Sequence, residues 1–166
     1  MSTNLIARAR AGDKQAFAQL YLQHKDSLYR YAYFKLGNAQ DAQDAVSDCI
    51  VEAYAGISRL KSEKAFVSWL FKILYRKCCA VLSGYSSRQA ETSLDEGEEI
   101  PVSDSHMAPE LEEALGILAP EDRDIVLLSV IAGYKTREIA EMLDLNHATV
   151  RSKLSRALAK MKEFLE

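Results

Sequence analysis

The sequence predicts an all-α protein: two small helical domains joined by a flexible acidic linker. Three observations carry that prediction. Apolar residues recur at helical spacing along most of the chain, whereas no segment alternates as a half-buried strand would. Proline and glycine fall where helices should begin and end. A polar stretch from Gly84 to Ala108, acidic and holding serine, glycine and a proline, separates a half with long helical patterns from a half with short ones. The resulting partition is 1–83, a helix bundle; 84–108, the linker; and 109–166, a smaller helical domain.

Asn4 to Ala11 reads as a short helix that Gly12 ends. Asp13 is placed to cap a long second helix through Leu36, on which Phe17, Leu20, Tyr21, Leu28, Tyr31 and Ala32 form the apolar face and Gly37 supplies the stop. Asn38 should cap a third helix to about Ile57. Its inward face is Ala42, Ala45, Val46, Cys49, Ile50, Ala53 and Tyr54, and its outward face is Asp41, Asp44, Ser47, Asp48 and Glu52. After the loop SRLKSEK, Ser62 should cap a fourth helix, from about Glu63 to Leu82, with Phe66, Leu70, Ile73 and Leu74 inside. Four helices with short connections make one bundle. Beyond the linker, Pro109 suits the first turn of a helix to Leu118, and Pro120 that of another, Glu121 to Ala132, which Gly133 closes.

The stretch TREIAEMLDLNHATVRSKLSRAL, Thr136 to Leu158, reads as two short helices joined by a tight turn, followed by an extension to Phe164. Ile139, Ala140 and Leu143 face inward from the first; Val150, Leu154 and Leu158 continue the buried stripe on the second. Ala140 is small where the helices of a helix-turn-helix cross. Asp144 stands where glycine would be easiest, yet Asp tolerates the left-handed conformation, and Asn146 can cap the second helix. Arg151, Ser152, Ser155 and Arg156 are left together on the outer face. A guanidinium can donate twice to guanine in a major groove, and serine lets the backbone approach closely. Helical hairpins with a solvated basic face are also common, so these residues alone leave both readings open.

Charge and composition narrow the classes. The net charge of −3 argues against nucleic acid until the charge is located. From Gly84 to Pro109 the only Lys or Arg is Arg88, against Glu91, Asp95, Glu96, Glu98, Glu99 and Asp104, so the rest of the chain is slightly basic. Its basic residues concentrate between Arg59 and Lys77 and between Arg151 and Lys162. The most apolar run, Ala65 to Leu82, is broken by Lys72, Arg76 and Lys77, so no membrane insertion is expected. An N-terminus with Arg8, Arg10 and Asp13 lacks an apolar signal core, which points to the cytosol. Cys49, Cys78 and Cys79 fit neither a disulfide framework nor a zinc spacing and read as free thiols; no metal or other cofactor is expected. His24, His106 and His147 offer no nucleophile–base pairing, so an enzyme is not expected.

The order of parts resembles the extracytoplasmic-function sigma factors of bacterial RNA polymerase, small members of the sigma-70 family that keep region 2, a linker and region 4. GDKQAFAQLYLQHKDSLYRYA is similar to the start of region 2, DAQDAVSDCIVEAY to its polymerase-docking helix, and AFVSWLFKILYRK to its promoter-melting helix. The run from Leu118 to Leu165 is similar to region 4 throughout, and is the most specific match. The chain departs from the family's common pattern at Ser47 (glutamine), Ile50 (phenylalanine), Arg76 (asparagine) and Ser155 (an aromatic in some relatives).

The resemblance implies a transcription initiation factor that binds core RNA polymerase and directs it to promoter DNA. The second domain would read the minus-35 duplex through Arg151, Ser152, Ser155 and Arg156, with His147, Thr149 and Lys153 on phosphates. The first would take the melted minus-10 strand through Arg59, Lys61, Ser62 and Lys64 as the rim of a base pocket, Lys72 and Arg76 along the backbone, and Phe66 and Trp69 as candidate stacking rings. Phe66 and Trp69 share helical spacing with Leu70 and Ile73, which fits core at least as well. Asp41, Asp44, Ser47, Asp48 and Glu52 would meet the clamp helices of the polymerase's largest subunit. Promoter elements two helical turns apart lie roughly 60 Å apart. The linker reaches about 80 Å extended but averages nearer 30 Å as a coil, so the resemblance implies that polymerase holds it stretched. Relatives also imply an anti-sigma factor. The alternatives are a helix-turn-helix regulator of another kind, or a sigma-like protein that no longer binds core polymerase.

Overall fold

A computed structural model of the chain describes residues 2–89 and 109–166, with side chains from 5–84 and 109–166. Every regular element among them is helical, and they fall into two compact units on either side of the 90–108 stretch. The predicted linker therefore lies largely outside the described residues.

In the first unit α1 (Ser2–Arg10), α2 (Lys14–Leu36), α3 (Ala39–Gly56) and α4 (Phe66–Gln89) pack together, with 3-10 turns at Ile57–Arg59 and Glu63–Ala65 between α3 and α4. The caps sit where the sequence places them. Asp13 accepts from the backbone N–H of Gln15 and Ala16 at 3.0 and 3.1 Å, and Gly37 ends α2 in the left-handed conformation, φ 71°. Asn38 accepts from the Asp41 N–H at 2.8 Å. Arg8 pairs with Asp13 at 2.7 Å, tying α1 to the α2 cap and holding the Asp13 carboxyl below its ordinary value. The α3 stripe of Ala42, Ala45, Cys49 and Ala53 is buried, and its small side chains let α2 and α4 approach closely on both sides. Leu20, Leu28, Tyr31, Leu70, Phe71 and Leu74 fill the core from those neighbours. Tyr54, expected inside, is 46% exposed and meets Phe17 edge-on at 5.2 Å. The three cysteines are free, and burial pushes the Cys49 thiol up to about 12.

Helix α4 runs past the expected end at Leu82 to Gln89 and takes in the first residues of the stretch read as linker. Gly84 opens the stretch read as linker, but it is not among the positive-φ glycines. A single helical glycine costs only about 1 kcal/mol, too little to stop a long packed helix.

The second unit is built from α5 (Pro109–Gly116), α6 (Pro120–Val130), α7 (Thr136–Leu143) and α8 (His147–Leu165). Ile125, Leu128, Ile139 and Val150 are fully buried at its centre. Arg123 reaches back to donate to the carbonyls of Leu115 and Leu118 at 3.1 and 3.2 Å, closing the end of α5. The buried stripe of α8 is Val150, Ala157 and Met161, with Leu154 half-buried; Leu158, expected inside, is 42% exposed. At about 100° per residue, a step of eight turns roughly 80° off the starting face, while steps of seven and eleven return to within about 20°. Because α8 packs in turn on α7, α6 and α5, only the second pattern stays covered.

Candidate nucleic-acid and polymerase interfaces

The turn between α7 and α8 fixes the angle at which α8 is presented. Asp144 adopts the left-handed conformation, φ 58° and ψ 48°, and the Leu145 N–H returns to the Ala140 carbonyl at 2.9 Å. Asn146 accepts from the Ala148 N–H at 2.8 Å and starts α8. Glu138 accepts from the Lys135 N–H at 2.8 Å and starts α7. His147 Nε2 lies 2.8 Å from Thr136 Oγ1, so the first residues of both helices are joined by a side-chain hydrogen bond. Ala140 is buried at the crossing, as its size requires.

On the outer side of α8, Arg151, Ser152, Ser155 and Arg156 are all exposed, and no carboxylate pairs with either arginine among the described residues. Arg156 Nε leans on the Ser152 carbonyl at 3.4 Å. Lys153 behaves differently. Its Nζ sits 3.2 Å from Glu121 and 3.7 Å from Asp122 at the start of α6, one wall of a shallow groove also lined by Arg156, Ala157 and Lys160. The structure thus places Thr149 and His147 half-buried near the helix start, the two arginines and two serines outward, and Lys153 inward.

In the first unit Arg59, Lys61, Ser62 and Lys64 are exposed on the loop between α3 and α4, where Ser62 Oγ accepts from the Lys64 N–H at 3.2 Å. Lys72 is exposed one face along α4. Phe66 is core: it is 2% exposed, and His24 meets it edge-on at 5.6 Å. Desolvation lowers the His24 pKa, and its Nδ1 is 3.2 Å from the Leu20 carbonyl. Trp69 is half-buried, packed so that a Cβ at Gly56 would lie 3.5 Å from its Cζ2. One ring edge therefore faces the helix end rather than solvent.

The outer face of α3 carries Asp44, Ser47 and Asp48 exposed, with Asp41 and Glu52 half-buried at its margin. Asp44 accepts from Gln40 at 3.1 Å. Val51, 70% exposed in the middle of this face, went unnoticed in the sequence because a lone apolar residue on a polar face gives no periodic signal. Glu52 is engaged: its two oxygens take Arg76 at 2.9 Å and Lys77 at 2.9 Å, from α4. Hydrogen bonds from Lys77 and then Arg76 hold its carboxyl below the ordinary carboxylate value. Lys77 is a functional candidate that spacing alone did not single out.

The sequence family described as Sigma-70 region 2 matches residues 20–84, and that described as Sigma-70, region 4 matches residues 109–161. The ECF RNA polymerase sigma factor SigM of Mycobacterium tuberculosis is 30% identical over 168 residues, spanning 99% of this chain and 84% of its own. The chain belongs to the extracytoplasmic-function sigma factors of the sigma-70 family. The RNA polymerase sigma factor SigV of Bacillus subtilis is likewise 30% identical, over 84% of each chain. CnrH, solved in complex with the cytosolic domain of CnrY, is 25% identical with a TM-score of 0.67 over 99% of this chain and 96% of its own. RpoE of Bartonella quintana, solved with the anti-sigma factor NepR, shares the fold at a TM-score of 0.71 and 21% identity, over 90% of this chain and 96% of its own. This sigma factor directs RNA polymerase in transcription initiation. Among its described residues no helix is long and apolar enough to cross a membrane.

Proposed function

We propose that the division of labour follows the two units: 109–166 reads the minus-35 element as duplex, and 1–83 docks on core polymerase and takes the minus-10 element as a single strand. The observation that carries the first half is the cluster of Arg151, Ser152, Ser155 and Arg156. These four are exposed on one face of a helix whose start is fixed by the Asp144 turn, the Asn146 cap and the Thr136–His147 bond. Base edges specify and phosphate contacts position, so the unpaired arginines are assigned to bases and the half-buried Thr149 and His147 to the backbone.

In the first unit the exposed loop cations Arg59, Lys61 and Lys64 form the rim of the base pocket, with Lys72 along the backbone. Asp41, Asp44, Ser47, Asp48 and the margin residue Glu52 form the face for the clamp helices of the polymerase's largest subunit, a cationic partner. The chain carries out no reaction of its own; the chemistry belongs to the polymerase, and both work in the cytosol. An anti-sigma factor completes the reading, supported by the likeness to CnrH, which was solved with a bound partner.

Reconstitution with core polymerase and mapping of transcript starts tests this directly. Defined starts with shared upstream and downstream elements are expected, and Arg156→Ala should cut initiation there while core binding stays unchanged. Loss of core binding to the same extent overturns the assignment of Arg156 to DNA.

A further inference from the structure

The family resemblance assigns Glu52 and Arg76 to two different surfaces, polymerase-docking and DNA-binding, yet the structure joins them. Glu52 lies at the margin of the acidic face of α3, and Arg76 and Lys77 lie on α4, where the single strand would run. The two cations occupy one carboxylate oxygen each, both at 2.9 Å. Neither basic side chain is deeply buried: Arg76 is 60% exposed and Lys77 33%. All three groups are therefore reachable from outside, and each can be claimed by a stronger partner of opposite charge. A cationic docking partner competes for Glu52; a phosphate competes for Arg76 and Lys77.

We propose that Glu52 is a charge gate between the two surfaces. In the free chain it holds Arg76 and Lys77 and weakens their hold on single-stranded DNA. When a cationic surface of core polymerase takes its carboxylate, both side chains are released to promoter phosphates. Lys77 thereby becomes a phosphate contact alongside Arg76, and Glu52 is a positioning residue for both. This rests on the reading that α3 faces polymerase and α4 faces DNA.

The size of the effect is bounded by the chemistry. Exposed ion pairs are each worth no more than about five-fold, so two pairs sharing one carboxylate give a gate of a few-fold to roughly ten-fold. Linkage makes the coupling reciprocal: whatever factor docking adds to DNA affinity, DNA adds to docking. The neighbouring Cys49, one turn earlier on α3, is buried and protonated, so it contributes no competing charge.

The test measures binding of the full-length chain to a fluorescein-labelled single strand of mixed sequence, across a salt series, with and without core polymerase. Each phosphate neutralised on a single strand contributes about −0.7 to the slope of log K against log salt. Glu52→Gln should tighten binding by the free chain roughly three- to ten-fold at low salt, and steepen the slope by about 0.7 to 1.4. Arg76→Ala with Lys77→Ala should abolish that gain when combined with Glu52→Gln. In the holoenzyme, where the gate is already open, Glu52→Gln should leave the slope unchanged. An unchanged slope in the free chain overturns the gate, as does an equal steepening in the holoenzyme. Glu52→Ala serves as a second opening variant, with circular dichroism confirming that each folds. Failure of the underlying reading is recognised separately: core polymerase would then bind the chain equally well after Asp44→Lys with Asp48→Lys.

Discussion

Arg151 and Lys153 sit two residues apart on α8 and should respond to truncation in opposite ways. Arg151 is exposed and meets no carboxylate among the described residues, so its donors are available to a base edge. A lost bidentate arginine contact costs about 1–3 kcal/mol, or about 5- to 150-fold in affinity, and the loss should be confined to the matched promoter duplex. Lys153 already spends its charge on Glu121 at 3.2 Å and Asp122 at 3.7 Å, with side chains 30%, 47% and 29% exposed. A phosphate would have to displace those partners, so its net gain is small, and the internal pair itself is worth at most about 1 kcal/mol of stability. Holoenzyme binding to duplexes carrying either the mapped minus-35 sequence or a scrambled one, titrated between about 50 and 200 mM salt, separates the two. Arg151→Ala should lose affinity for the mapped duplex and little for the scrambled one. Lys153→Ala should leave the salt slope within about half a phosphate contact of wild type, where a full contact on duplex DNA is about 0.9. A slope flattened by a full contact in Lys153→Ala, together with equal losses on both duplexes in Arg151→Ala, would refute the assignment.

Asp44→Lys with Asp48→Lys should abolish core binding without changing the helical circular dichroism signal, because both side chains are exposed; retained affinity would move the docking face elsewhere. Ile139→Ala, fully buried, should destabilise the second unit by about 2–5 kcal/mol, whereas Leu158→Ala should cost under about 1 kcal/mol. Similar melting shifts for the two would restore Leu158 to the core. Acid should weaken the first unit. The Glu52 and Asp13 carboxyls are held below their ordinary values of 4.5 and 3.8, by Lys77 and Arg76 on the first and by Arg8 on the second. Their contribution is complete above those ordinary values and lost as pH falls through the lowered ones. The melting temperature should begin to drop as pH falls through 4.5 and continue dropping below 3.8, less steeply in Glu52→Gln; an identical profile in that variant would show that Glu52 is not among the groups responsible.

Local chemistry was legible in the sequence, and tertiary placement was not. Asp13, Gly37, Asn38, Asp144 and Asn146 each satisfy a backbone requirement set within a few residues, so their roles follow from residue type and position. Leu158 and Tyr54 were misplaced for a different reason. Each lies on the edge of an apolar stripe, and only the direction from which a neighbouring helix arrives decides whether such a residue is covered. The extension of α4 through Gly84 is similar, since packing of the preceding turns outweighs one weak helix former. The ion pairs of Glu52 with α4 and of Lys153 with α6 join residues far apart in the chain, and no spacing rule could have shown them.

The Lys153 pairs have a consequence for discrimination. Non-specific DNA binding is almost wholly electrostatic and scales with the number of phosphates neutralised. Lys153, which can offer a phosphate only charge, is matched to carboxylates within its own unit. Arg151 and Arg156, proposed to read base edges, meet no carboxylate among the described residues. Masking Lys153 lowers affinity for every sequence alike, and leaving the two arginines open preserves the energy that depends on sequence. The ratio of specific to non-specific binding rises, and that ratio, multiplied by the number of competing sites, decides promoter choice. A recognition helix with its proposed base-reading cations open and Lys153 paired therefore discriminates better than the same helix with Lys153 free.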